Sequence, residues 1–161
     1  MRNTLFLLAT LSIILVNSGC MGSRLTQQLK WHNSELKRAA ESNMDPGKKL
    51  DILLESVAKM MEESIEPLSP KKSVKYVQKY VRQNEGYIAI ILKDVGKWQD
   101  KMSPFQTIQY GLSIQNKPFV QTFVQSLPKY KKKYKQYAFA IGLVDDVTAV
   151  LIKFGNKALG I

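Results

Sequence analysis

Apolar residues recur along most of this chain at intervals of three and four, the repeat of helices that each bury one stripe. In RLTQQLKWHNSELKRAAES, residues 24 to 42, Leu25, Leu29, Trp31 or His32, and Leu36 fall near one line and predict a first amphipathic helix. Asp45 followed by Pro46 is a start signal: a side chain that accepts from free amides, then a residue with no amide hydrogen to satisfy. Leu50, Leu53, Leu54, Val57, Met60 and Met61 carry that second helix to about Ile65. Ser69 and Pro70 repeat the signal, and Val74, Val77 and Val81 form an apolar line that fades around Asn84 to Gly86, where a break or a kink is expected. The segment Tyr87 to Met102 opens with a run that a buried strand could carry, but Ile88, Ile91, Leu92, Val95 and Trp98 have helical spacing. Ser103 before Pro104 and Lys117 before Pro118 predict short helices over Pro104 to Ile114 and Pro118 to Ser126. Pro128 then opens a long segment in which Tyr130, Tyr134, Tyr137, Ile141 and Val144 share one face. Asp145 and Asp146 mark a further start, leading Val147, Val150, Leu151 and Phe154 toward Gly155. No stretch alternates with the period of a strand, so the expected fold is all-α, a compact bundle of five to seven helices.

The N-terminus follows another pattern. Arg2 precedes LFLLATLSIILV, Leu5 to Val16, and then the small polar Asn17, Ser18 and Gly19 lead into Cys20, the one cysteine of the chain. A charged start, a short apolar core and small residues are the layout of a secretory signal peptide. The core falls well short of the roughly 20 apolar residues that a spanning helix needs. Small residues running into cysteine resemble the lipobox of bacterial lipoproteins, a likeness confined to residues 1 to 20. Ser18 and Gly19 match the family's small positions, while Asn17 stands where the family usually carries an aliphatic residue. The resemblance implies cleavage between Gly19 and Cys20, a diacylglycerol on the Cys20 thiol and acylation of the new amino group. Ordinary cleavage of a secretory signal and an uncleaved anchor are the competing readings of the same segment. A lone buried thiol, or half of an intermolecular disulfide, does not account for a cysteine at the cleavage point.

On this reading residues 1–19 are the signal peptide, 20–26 a lipid-anchored tether and 27–161 one helical domain. With a single cysteine no internal disulfide forms, so the core alone must hold the fold in an oxidising compartment. The hydrophobic fraction of 45% is enough to build that core.

Charge divides the chain. Residues 24 to 66 hold seven basic and eight acidic side chains, and residues 67 to 161 hold sixteen basic and five acidic. Lys72, Lys75, Lys79 and Arg82 make one helical stripe, and Lys93, Lys97 and Lys101 another. KYKKKYK contributes Lys129, Lys131, Lys132, Lys133 and Lys135, with Tyr130 and Tyr134 expected on its apolar side. Such a balance usually suggests nucleic acid, but an exported, lipid-anchored domain does not meet it. The anionic partners within reach are lipid head groups or polymers of the wall, and the competing reading of the lysines is plain solvated surface.

Catalytic signals are sparse. His32 is the single histidine, which excludes a His/Cys zinc cluster; Glu35 is its nearest carboxylate in sequence, and a surface or boundary position is expected. Glu62 and Glu63 are adjacent on a helix and point apart, as do Asp145 and Asp146. No metal, no cofactor beyond the acyl groups and no enzymatic activity is expected. The stretch Tyr137 to Phe154 is apolar apart from its two aspartates. With a lipidated N-terminus it resembles the layout of the unimolecular spanins of phages, although two aspartates in mid-bilayer would cost several kcal/mol.

The expected function is therefore a lipid-anchored envelope module that binds a protein partner or an anionic wall or lipid component. A phage or plasmid exclusion or immunity lipoprotein is the alternative, with a spanin-like lysis protein behind it. If the host is Gram-negative, Met21 in place of an aspartate after Cys20 implies the outer membrane, facing the periplasm, by the same lipoprotein resemblance.

Overall fold

The computed structural model describes residues 24–65 and 68–155, which form six helices. The helix α1 covers residues 24–41, α2 Pro46–Ile65, α3 Pro70–Gln99, α4 Pro104–Gln115, α5 Pro118–Tyr134 and α6 Ala138–Lys153. Among the described residues there is no strand. The signal segment, the cleavage point at Gly19 and Cys20, and the first tether residues lie outside the described residues. Residues 24 to 26, assigned to the tether from sequence, are already the first turn of α1.

The centre of the bundle is α2, whose Leu50, Leu53, Leu54, Val57, Met60 and Met61 have no exposed surface. Its apolar positions cover a wide arc, so α1, α3 and α5 can all pack on it, while Asp51, Glu55 and Glu62 stay outside that arc. Side-chain contacts fix the directions. Ser73 meets Ser64, Tyr80 meets Ser56 and Lys49 meets Asp94, so α3 runs antiparallel to α2. Lys117 meets Asp51 and Tyr134 meets Ser64, so α5 runs parallel to it. The last helix, α6, packs against α3 and α5, with Gln99 donating to the Val150 carbonyl at 3.0 Å. At one end lies α4: Tyr110 meets Trp98 edge-on and Phe154 at a tilt, at centroid distances of 4.8 and 4.6 Å, and a Cβ at Gly111 would lie 1.8 Å from the Phe154 carbonyl oxygen. Only glycine allows that approach.

The start signals of α2 and α4 act as expected. Asp45 Oδ1 accepts from the Gly47 amide at 2.9 Å. Ser103 and Gln106 close a reciprocal capping box at 3.2 and 2.8 Å. Ser69 makes no side-chain cap, and α3 starts on proline and packing alone.

Three expected boundaries are corrected. The break at Asn84 to Gly86 does not occur, because Asn84 occupies the buried stripe as a polar residue: its amide donates to the Tyr80 carbonyl at 2.8 Å and to it Asn33 donates at 3.3 Å. The apolar line fades there while the helix continues. Pro128 opens nothing and sits exposed inside α5, where its missing hydrogen bond, a cost of about 3 kcal/mol in a helix interior, is offset by burial of Leu127, Tyr130 and Tyr134. Asp145 and Asp146 are exposed positions in the middle of α6, and the real interruption is at residues 135–137. The stretch between the caps Tyr137 and Phe154 is thus one helix packed on the core, and no helix among the described residues is long and apolar enough to cross a membrane.

Candidate functional site

Three chain segments converge at the end of the bundle where α2 stops. The Ser64 carbonyl receives Ser73 Oγ from the first turn of α3 at 2.6 Å and the Tyr134 hydroxyl from the last residue of α5 at 3.1 Å. Lys133 Nζ donates to the Ser64 and Ile65 carbonyls at 2.7 and 2.8 Å, placing an ammonium on the carbonyl end of α2. The first turn of α1 belongs to the same end: only residues 42–45 join α1 to the start of α2, so the two helices run antiparallel, and with His32 beside Ser56 and Glu63, residue 24 is about 12 Å further along at 1.5 Å per residue.

This convergence sorts the predicted lysines. Lys72 and Lys75, with Lys71 beside them, leave α3 exposed within a turn of Ser73, and Lys129, Lys132 and Lys135 leave α5 exposed around Tyr134. Lys79 and Arg82 continue the α3 stripe away from the junction. Lys131 pairs with Asp145 of α6 at 2.7 Å, and Lys133 is turned inward as described. Lys93, Lys97 and Lys101 are exposed toward the opposite end. Tyr130 and Tyr134 are fully buried, as the spacing of KYKKKYK requires.

The second feature is one that sequence reasoning missed. His32 has no exposed surface, and its partners are not Glu35 but Ser56 and Glu63 of α2. Nδ1 is 2.9 Å from Ser56 Oγ, Nε2 is 3.1 Å from Glu63 Oε2, and Ser56 Oγ is 2.8 Å from the Tyr80 hydroxyl. With hydrogen on Nε2, the donors run one way: Tyr80 to Ser56, Ser56 to His32, His32 to Glu63, where Tyr76 also donates. Burial raises both phenols well above their ordinary range, reinforced at Tyr76 by its bond to Glu63 and opposed at Tyr80 by its bond to Ser56. Glu35 instead holds Arg38 at 2.5 Å on the surface. No local pattern could have found partners 24 and 31 residues away.

Carboxylate, imidazole and serine in line are the residue types that activate a hydroxyl nucleophile. Here Ser56 and His32 are both wholly inaccessible, so in this state no substrate carbonyl can reach Oγ. What the chain of bonds does is lock α1 to α2 and α3. Among the described residues no group of three or more His, Cys, Asp or Glu is placed to hold a metal ion.

Other surface features lie away from the junction. A groove of about 320 Å³ between α3 and α6 is lined by Ile88, Leu92, Phe139 and Leu143, with Glu85 and Asp146 at its rim. On α4, Phe105, Ile108 and Leu112 form an exposed apolar stripe at the end remote from residue 24.

Fold and sites together define an all-α bundle of mainly up-and-down helices, with one helix at an end and a buried polar clamp inside. No protein-family model, curated protein or solved structure matches the chain.

Proposed function

We propose that this chain is a non-enzymatic, lipid-anchored module of the bacterial cell envelope, held in the membrane by acyl groups on Cys20 and offering a rigid helical body to an envelope partner. The observation that carries the reading is the separation of the two ends. Cys20 precedes the first turn of α1 by four residues, a reach of at most about 14 Å, whereas Phe105, Ile108 and Leu112 lie at the opposite end. A lipid at Cys20 holds the first end at the bilayer and leaves the apolar stripe of α4 facing the envelope space. Intact mass of the protein from the membrane fraction tests this beside Cys20→Ala. The expected mass is that of residues 20–161 plus acyl groups, with the variant lost from the membrane. An unacylated mass for the wild type would refute the anchor.

A further inference from the structure

Resting on the lipid-anchor reading, we infer that the junction end of the bundle is a second membrane attachment, a lysine face that lies on the anionic phospholipid head groups of the leaflet holding Cys20. The face is built from Lys71, Lys72, Lys75, Lys129, Lys132 and Lys135, all exposed. The three hydroxyl and carbonyl groups at Ser64, Ser73 and Tyr134 hold the α3 and α5 lysines on one end of a rigid body. The neighbouring charges are already committed. Glu63 serves His32 and Tyr76, Asp145 serves Lys131, and Lys133 covers the end of α2, so Glu62 is the exposed carboxylate left on the last turn of α2 among the described residues.

A single acyl chain binds only marginally and gains firm attachment from an added basic patch. The short tether, reaching at most about 14 Å, lets this face come within a Debye length of the surface, about 8 Å at physiological ionic strength, where the lysine charges are felt. Lysines at that distance gain about fivefold in local affinity each on an anionic leaflet. The same contact sets orientation: it stands the bundle on its junction end, with Lys93, Lys97 and Lys101 away from the lipid.

The test uses the acylated, full mature protein in vesicles of phosphatidylcholine alone and of phosphatidylcholine mixed with phosphatidylglycerol, with lysine acylation by a water-soluble reagent read by peptide mass. Labelling of the six lysines is expected to fall about fivefold on the anionic vesicles, to recover at about 1 M salt, and to stay unchanged at Lys93, Lys97 and Lys101. Charge reversal of exposed Lys72, Lys75 and Lys132 to Glu is expected to abolish the protection of the remaining three. Equal labelling on the two vesicles, protection of the Lys93 stripe instead, or protection by an added anionic wall polymer but not by the vesicles would each overturn the inference. Flotation with neutral vesicles at high salt reports the lipid anchor separately: its loss sinks the anchor reading, while salt-sensitive protection on anionic vesicles still decides the lysine face.

Discussion

Replacing His32 by Ala removes an imidazole that has no exposed surface and two long-range bonds. Large-to-small changes at such sites cost about 2 to 5 kcal/mol through lost contacts and the residual cavity. Ser56 and Glu63 each lose a partner as well, a further penalty of about 1 to 3 kcal/mol for a buried group left short. The second penalty is partial here, because Tyr80 still reaches Ser56 and Tyr76 still reaches Glu63. The expected loss is about 3 to 5 kcal/mol, a large share of the roughly 5 to 15 kcal/mol that a domain holds. The melting temperature should fall on the order of 10 °C. Equilibrium urea unfolding measures the loss, and hydrogen exchange locates it: amides of α1 should lose protection first, since the clamp joins α1 to the rest. Glu35→Ala is the control, breaking an exposed pair with Arg38 and costing no more than about 0.5 kcal/mol. A loss under about 1 kcal/mol for His32→Ala, or equal effects of the two changes, would refute the buried clamp and restore a surface histidine.

Other outcomes follow from single contacts. Gly111→Ala drives a methyl group onto the Phe154 backbone and should cost several kcal/mol by thermal melting, whereas Gly86→Ala and Gly142→Ala meet nothing within 4 Å and should each stabilise by about 0.5 to 1 kcal/mol. Asp94→Ala leaves the buried ammonium of Lys49 without its 2.6 Å partner and should cost about 1 to 3 kcal/mol, while the double change with Lys49→Met recovers most of it in a denaturation cycle. Five of the seven tyrosines, Tyr76, Tyr80, Tyr110, Tyr130 and Tyr134, have phenol pKa values raised chiefly by burial. The unfolded value is near 10, so their contribution is complete below about pH 10 and is lost as pH rises beyond it. Phenolate absorbance of those five should appear together with alkaline unfolding, and ionisation of more than two tyrosines in the folded protein would contradict their burial.

Much of the architecture was legible in the residue order. The period of three and four, and the starts at Asp45–Pro46 and Ser103–Pro104, define helices because a helix is closed by bonds four residues apart and capped by its own neighbours. The charge asymmetry and the Cys20 segment are likewise properties of the chain order. Boundaries failed where a local signal was outweighed from elsewhere. Asn84 reads as a breaker until Asn33 and the Tyr80 carbonyl take its amide, and Pro128 reads as a start until the burial on either side of it holds the helix together.

The chain by itself determined which segments are helical, which faces are apolar and where positive charge is concentrated, since each depends on neighbours within a turn or two. Tertiary structure alone decided that His32 is buried between Ser56 and Glu63, that Lys131 and Lys133 are paired while Lys72, Lys75, Lys129, Lys132 and Lys135 face outward, and that these gather at the end where α1 begins. The reason is physical. A buried polar or charged group is stable only beside a partner, and for His32 and Lys133 packing brings the partners from another helix, 24 to 69 residues away along the chain.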